Sequence, residues 1–426
     1  MSTTPADVLI IGAGATGALA ALVLARAGLD VVCLEQGGWV EAGDHPHYSS
    51  DWSWQRKTRW NADVNKRHHV DDYAVRTDAS HVLMWNGVGG STNVYGAIWP
   101  RYRPSDFRKG DEHGLQPNWP ISYEDLAPYY DRSDRLIGTS GLSGDPGMPP
   151  RPPSPTGPLP FTDAARVLAG AFDTLGWHWW PAEAAVISED YDGRPACNGC
   201  GVCSGCARGS MSKYSLSIWP KALAAGARLR IQARVLRVEK GRDGRATGAV
   251  FRDRVTGAME FQPARIVILA GNGVGTPRLL LASDNLANSS DQVGRNLLHH
   301  TLTACEFWVD RKIDGHMGYV ASMISREFAE TDIARGFVNG FQFNCLTSTS
   351  SAGEIAAGWL ADVKAPWGRG HHAWFERRFG HNLGLFAIGD DLPNPENRVS
   401  LDPEQRDEEG APVARLHYRP GENDRR

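Results

Sequence analysis

The 426-residue sequence predicts an α/β fold, in which a parallel sheet assembled from discontinuous segments is joined to a second, α+β domain. Three observations predict it. A strand, glycine turn, helix and strand fill residues 7–35, two alternating strands follow one another over 229–254, and an apolar strand at 265–270 runs into a further glycine-rich turn. Composition agrees: 41% hydrophobic and 22% charged residues suit a globular chain with a core. Lys and Arg number 45 against 49 Asp and Glu, so no basic excess exists to attract nucleic acid. No apolar run approaches the roughly 20 residues of a membrane-crossing helix. The N-terminus lacks the basic and apolar regions of a signal peptide. A cytoplasmic location is therefore expected, with periplasmic or membrane-associated placement through a partner subunit left open.

The elements follow in order. Asp7–Ile11 is a short apolar strand, Gly12, Gly14 and Gly17 punctuate a turn, Ala18–Ala27 is an alanine-rich helix ended by Gly28, and Val31–Leu34 is a second strand closed by Glu35. Gly12 allows the tight turn, Gly14 lets backbone approach a pyrophosphate, and Gly17 lets helix and sheet pack closely. The helix N-terminus supplies N–H donors, and Glu35 is placed to accept from a ribose hydroxyl. This is an FAD/NAD(P)-binding Rossmann-like unit, and the motif alone does not choose between the two nucleotides. Residues 44–80 are polar, Trp-rich and aperiodic. A second glycine cluster follows at 83–98, where Gly89 and Gly90 let backbone approach a flat ring or a phosphate.

Residues 140–160 are rich in Pro and Gly, including Pro149-Pro150-Arg151-Pro152-Pro153, which predicts an extended connection between domains. Helices are expected at Asp163–Leu175 and Trp219–Ala225. Leu229–Glu239 and Ala246–Arg254 read as strands of a β-meander, Arg265–Ala270 as a returning strand, and Thr276–Ala282 as a helix. A meander just before a returning strand suits a two-part FAD fold, so flavin is favoured. Residues 305–390 are aromatic and aperiodic. The expected division is a cofactor domain in two parts (1–140 and 197–305), a connecting and substrate-domain segment (141–196), and a substrate-binding domain (306–426).

Of seven cysteines, four fall at Cys197, Cys200, Cys203 and Cys206. Thiolates at this spacing converge, as in the bacterial ferredoxin run, although the last gap here is one residue shorter and Ala207 replaces its proline. An Fe–S cluster, reduced structural thiols and zinc are the three readings, zinc being disfavoured because its two ligand pairs usually lie far apart. Cys33, inside a strand, is expected in the core. The pairs His68-His69, His299-His300 and His371-His372 point apart and chelate poorly. Trp177, Trp179 and Trp180 are expected to pack between elements.

Gly87-Val-Gly-Gly-Ser-Thr-Asn93, Asn118-Trp-Pro-Ile-Ser-Tyr-Glu-Asp-Leu-Ala-Pro-Tyr-Tyr130, Val267-Ile-Leu-Ala-Gly-Asn-Gly-Val-Gly-Thr-Pro-Arg-Leu-Leu280, Val293-Gly-Arg-Asn-Leu297 and Pro393-Asn-Pro-Glu-Asn-Arg-Val-Ser-Leu-Asp-Pro403 stand in an informative order. In these segments, and across essentially its whole length, the chain resembles the glucose–methanol–choline (GMC) oxidoreductases. Within them it is similar to the flavoprotein subunits of gluconate 2-dehydrogenase and of FAD-dependent sugar dehydrogenases. The resemblance implies FAD, and oxidation of a CH–OH group of a sugar, polyol or sugar acid with hydride passing to flavin N5. It also implies a non-NAD acceptor reached through an electron-transfer subunit such as a cytochrome c.

By the same resemblance Gly12, Gly14, Gly17 and Glu35 would hold the ADP half. Gly89, Gly90, Ser91 and Asn93 would lie along pyrophosphate and flavin, and Val235, Ala270 and Gly271 would line the adenine end. The four cysteines would carry a 3Fe–4S or 4Fe–4S cluster. The family's catalytic His belongs to a C-terminal segment expected beyond Arg426, so the chain reads as C-terminally truncated. His381 and His417 lie upstream of that segment, and neither is taken as the base. A catalytically inactive FAD-binding fragment and an NAD-linked dehydrogenase are the alternatives.

Overall fold

The computed structural model describes residues 4–39, 75–77, 84–201, 203, 206–346 and 365–426. Their strands are, in chain order, β1 (Ala6–Ile11), β2 (Val31–Leu34), β3 (Val75–Thr77), β4 (Trp180–Pro181), β5 (Arg228–Arg230), β6 (Ala233–Lys240), β7 (Ala246–Asp253) and β8 (Met259–Leu269). These are followed by β9 (Thr301–Trp308), β10 (Met323–Ser325), β11 (Phe341–Leu346), β12 (Asn382–Gly389), β13 (Arg398–Arg406) and β14 (Pro412–His417). The helices longer than ten residues are α1 (Ala15–Arg26), α2 (Tyr123–Ile137), α3 (Asp163–Leu175) and α4 (Asn272–Ala282). The pair His68-His69 and most of the polar stretch 44–80 lie outside the described residues.

The main sheet has the order β5-β2-β1-β8-β7-β6. Strands β5, β2, β1 and β8 run parallel, and β8, β7 and β6 form the antiparallel meander. Strand β8 belongs to both parts. Its residues Met259–Pro263 pair with β7, and Ala264–Leu269 pair with β1. Pro263, which has no N–H to donate, sits at the handover, where one partner is exchanged for the other. The expected long strand Leu229–Glu239 is divided in two. Gln232 adopts φ 52° and turns the chain, so that β5 extends the parallel side and β6 the meander.

Strand β1 is almost wholly buried and β2 entirely so, as their apolar runs require of a parallel sheet covered on both faces. On one face α1 packs with Tyr214 and Trp219; on the other, Leu9, Val32 and Leu34 meet Phe251 of the meander. Cys33 is fully buried in this core, as expected, and burial pushes its thiol up.

A second sheet, β4-β10-β11-β12-β9, is antiparallel throughout. Helix α3 covers it, laying Leu168 and Phe172 against Met323, Cys345 and Leu383. The helix is capped by Thr162, whose hydroxyl accepts from the Ala165 N–H, and ends at Gly176 with φ 71°. Trp177 stacks on Phe343 with ring centroids 6.1 Å apart, and Trp179 packs on Phe161, so these tryptophans are packing residues. A third sheet joins the β13–β14 hairpin to β3. Among the described residues no helix is long and apolar enough to cross a membrane.

Candidate cofactor site

Strand β1 ends at Ile11 and α1 begins at Ala15, so Gly12 and Gly14 make a turn at the mouth of the sheet. Gly12 has φ 104°, and a Cβ there would lie 2.6 Å from the Ala270 carbonyl oxygen, so β8 and the turn touch as only glycine permits. A Cβ on Gly17 would lie 2.0 Å from the Gly12 carbonyl oxygen, which is the close helix–turn packing expected of the third glycine. The second glycine cluster docks on the first: the Gly89 N–H donates to the Ala13 carbonyl at 2.9 Å, and a Cβ on Gly90 would lie 2.8 Å from Gly14 Cα. The indole of Trp219 donates to the same Ala13 carbonyl at 2.8 Å, bracing the turn from behind.

These elements enclose an open cavity of about 510 Å³. Gly12, Gly14, Glu35, Gly90, Ser91, Val235, Ala270 and Gly271, all singled out in the sequence, line it together although they come from five segments. Gly17, Gly89 and Asn93 do not. Asn93, expected along the ligand, has its side chain fully buried beneath the loop. There its amide donates to the Val88 and Gly90 carbonyls (2.8 and 3.0 Å), and its oxygen accepts from Ser215 Oγ at 2.8 Å. It shapes the loop rather than facing the cavity.

Glu35 is buried at the end of β2. One carboxylate oxygen accepts from the Ala13 N–H at 2.8 Å and the other from the Gly37 N–H at 2.9 Å. Burial raises its pKa, opposed by those backbone donors. The Gly87 and Gln36 N–H groups also act on the carboxylate and lower its pKa. The start of α1 presents Gly14, Ala15 and Thr16 to the cavity, with the helix dipole favouring an anion there. The sequence reading missed Trp85, Asn86, Arg234, Asn272 and Arg278, which also line the cavity. Trp85 and Asn86 directly precede the Gly87 cluster, a signal that could have found them. The two arginines carry no local signal.

The cysteines behave otherwise. Cys197, Cys203 and Cys206 pack against the main core, while Cys200 is exposed. Burial pushes the Cys203 thiol up to about 12. All four are free thiols, and among the described residues no three His, Cys, Asp or Glu side chains gather where they could hold a metal. The donor set does not fit a cluster in this arrangement, so the Fe–S expectation lacks its site. No histidine lines the cavity among the described residues.

A glycine turn opening a helix, an acidic residue closing the next strand and a parallel sheet beneath them define the class: a dinucleotide-binding protein of Rossmann type. The chain belongs to the GMC oxidoreductase family, which residues 6–302 match. It is 44% identical to 2-methyl-1,2-propanediol dehydrogenase of Mycolicibacterium austroafricanum, over 99% of this chain and 78% of that protein. It is 29% identical to the fructose dehydrogenase large subunit of Gluconobacter japonicus, over 99% of this chain and 80% of that one. Formate oxidase of Aspergillus oryzae RIB40 shares the fold, with a TM-score of 0.60 at 15% identity, covering 98% of this chain and 78% of that one. The protein is thus an FAD-dependent oxidoreductase acting on alcohol or sugar CH–OH groups.

Proposed function

We propose that the protein is a dehydrogenase of short diols or polyols that passes electrons to an acceptor other than NAD. The observation that carries this reading is the 44% identity, over 99% of the chain, to an enzyme named for a propanediol. Sugars are the second reading, favoured by the relative named for fructose. That relative is named as a large subunit, which supports a partner subunit for this chain too.

The cavity suits FAD because Gly14, which lines it, leaves open space in front of the turn: a Cβ there would meet no protein atom closer than 3.9 Å. In this reading the first turn of α1 and Gly14 hold the pyrophosphate. Glu35 accepts from a ribose hydroxyl, and Val235, Ala270 and Gly271 line the adenine end. Gly90 and Ser91 lie toward the flavin, while Gly17, Gly89 and Asn93 shape the walls from behind. Bound FAD supplies the hydride acceptor, while the alcohol carbon loses hydride and its oxygen a proton to give a carbonyl. Residues 1–140 and 197–305 form the cofactor part, and 141–196 with 306–426 the substrate part, except that the 407–411 turn reaches back to the cavity. No step is routed through the cysteines; iron and acid-labile sulfide in anaerobically purified protein would restore a cluster to the reading.

The test is a dye-linked assay of the flavin-loaded protein over short diols, polyols, sugars and sugar acids. Fastest turnover on a diol or polyol supports the proposal, and fastest turnover on a sugar or sugar acid overturns it. Reduction of NAD instead of the dye would overturn the acceptor.

A further inference from the structure

The turn between β13 and β14 ends in a buried charge cluster that the proposed function does not use. Asp407, with no exposed side-chain surface, receives Arg234 Nη2 at 2.5 Å and Arg278 Nη2 on the same oxygen. Its other oxygen accepts from the N–H groups of Glu409 (3.0 Å) and Ala411 (2.9 Å). Glu409 in turn meets Arg234 Nε at 2.9 Å and Arg254 Nε at 3.3 Å, and Arg278 Nε donates to the Pro412 carbonyl at 2.8 Å. Arg234 belongs to β6, Arg278 to α4, and both line the cavity, as does Ala411. Two walls from distant segments are therefore tied through one carboxylate to a turn that supplies a third.

The position of this wall follows from Glu35. The acidic residue closing the second strand faces the nucleoside ribose. The Ala233 N–H donates to the Glu35 carbonyl at 2.8 Å, which sets β6, with Arg234 and Val235, directly beyond it. The flavin half runs the other way, toward Gly90. We infer that Asp407 is a positioning residue for the adenosine half of FAD, holding Arg234 and Arg278 together so that the 407–411 turn closes that end of the cavity. The inference rests on the FAD placement proposed above. A neutral amide at 407 keeps the acceptor for the two backbone N–H groups but leaves two buried guanidinium groups without their shared charge, so the wall loosens.

The test uses the full chain stripped of flavin and titrated with ADP, which carries the adenosine half alone, and with FAD. Asp407→Asn should weaken ADP binding by about tenfold or more. Ala411→Phe, which breaks no ion pair, should narrow the same end and weaken ADP binding with the melting temperature of the stripped protein unchanged. Should the Asp407 variant fail to fold, the Ala411 variant decides. Wild-type ADP affinity in a folded Asp407→Asn protein, or in Ala411→Phe, overturns the inference while leaving FAD binding by the wild type intact. A wild type that takes up neither ligand would overturn the parent reading and this one with it.

Discussion

Gly14 separates two roles that glycine can play. A Cβ at this position would come no closer than 3.9 Å to its nearest protein neighbour, Gly90 Cα, and the backbone there, φ −69°, suits any L-residue. The protein itself therefore tolerates alanine at 14, and only a ligand pressed against the turn would not. Gly14→Ala should melt like the wild type yet retain much less flavin, read as visible absorbance against protein absorbance; full retention would place the pyrophosphate elsewhere. Gly90 is the contrast, since its Cβ would strike the Gly14 backbone at 2.8 Å whether or not a ligand is present. Lys213 carries a second prediction at this scale. Burial lowers its ammonium from an ordinary 10.5 to about 8, against the attraction of Cys206. Between these values the unfolded chain binds the proton and the folded chain does not, so stability rises with pH there, and below about 8 the folded state carries the full cost of the buried charge. That cost is about 3 kcal/mol. Lys213→Met should therefore stabilise the protein at neutral pH, and the gain should fade as pH climbs past 8 toward 10.5. Denaturant titrations across that range check it; a gain that does not fade would assign it to packing instead.

The elements legible in the sequence were those whose cause is local. The β1–turn–α1–β2 unit and α3 announce themselves by glycine spacing and apolar period, and Glu35 is found because the chain itself carries it to the end of β2. Elements decided by partners from far along the chain were not legible. Nothing near Gln232 says that the strand will turn there; the turn is set by β5 joining β2 while β6 joins β7. Arg234 and Arg278 find their carboxylate 173 and 129 residues away, and no pattern in 426 residues advertises such a pairing. The cysteine run brings its four thiols near enough that, after burial, their mutual repulsion helps raise the pKa of Cys197 and Cys203, yet among the described residues no three donors gather into a metal-holding group. Helix α3 gives the test at this scale. Phe172 is buried under the second sheet, edge-on to Trp177 at 5.4 Å and to Phe343 at 6.0 Å. Phe172→Ala should cost about 3–5 kcal/mol, from lost transfer energy and the cavity left behind. The near-ultraviolet circular dichroism of the tryptophans should weaken with it. A cost below about 1 kcal/mol would mean that the sheet closes over the gap.

Across the whole molecule, the Pro-rich stretch expected to be a connection is a clamp. It is extended and free of helix, as its prolines dictate, but it is not loose: Ser140 bridges to both Thr156 and Ala184, and its charged side chains enter a chain of alternating sign. Arg101 binds Asp134 of α2 at 2.6 Å, and Arg151 reaches both Asp134 (3.8 Å) and Glu183 (3.3 Å). Arg326, directly after β10, binds Glu183 at 2.8 Å and Asp145 at 2.5 Å, and Asp145 is 2.8 Å from the His178 ring. Three guanidinium groups thus tie α2, the Pro-rich stretch and the edge of the second sheet together. Nearly every member is buried, so the desolvation already incurred makes breaking the chain costlier than forming it is favourable. Removing Arg326 leaves Glu183 to Arg151 and Asp145 to His178 and the Gly147 N–H, two buried carboxylates short of their shared cation, and Arg326→Met should destabilise the protein by about 3–5 kcal/mol. Asp145 supplies the pH signature. Burial alone would raise its pKa, but the His178 and Gly147 hydrogen bonds and the Arg326 charge outweigh burial and hold the carboxyl below its ordinary 3.8. A depressed carboxyl contributes stability that is complete above the unfolded value and lost as pH falls through the folded one. The stability difference between wild type and Asp145→Asn, from urea midpoints at a series of pH values, should therefore stay level near neutrality and shrink on acidification below about pH 4. A difference that holds constant to the acid limit would show that Asp145 serves the clamp as a hydrogen-bond acceptor only, and that its charge is not what ties the Pro-rich stretch to the second sheet.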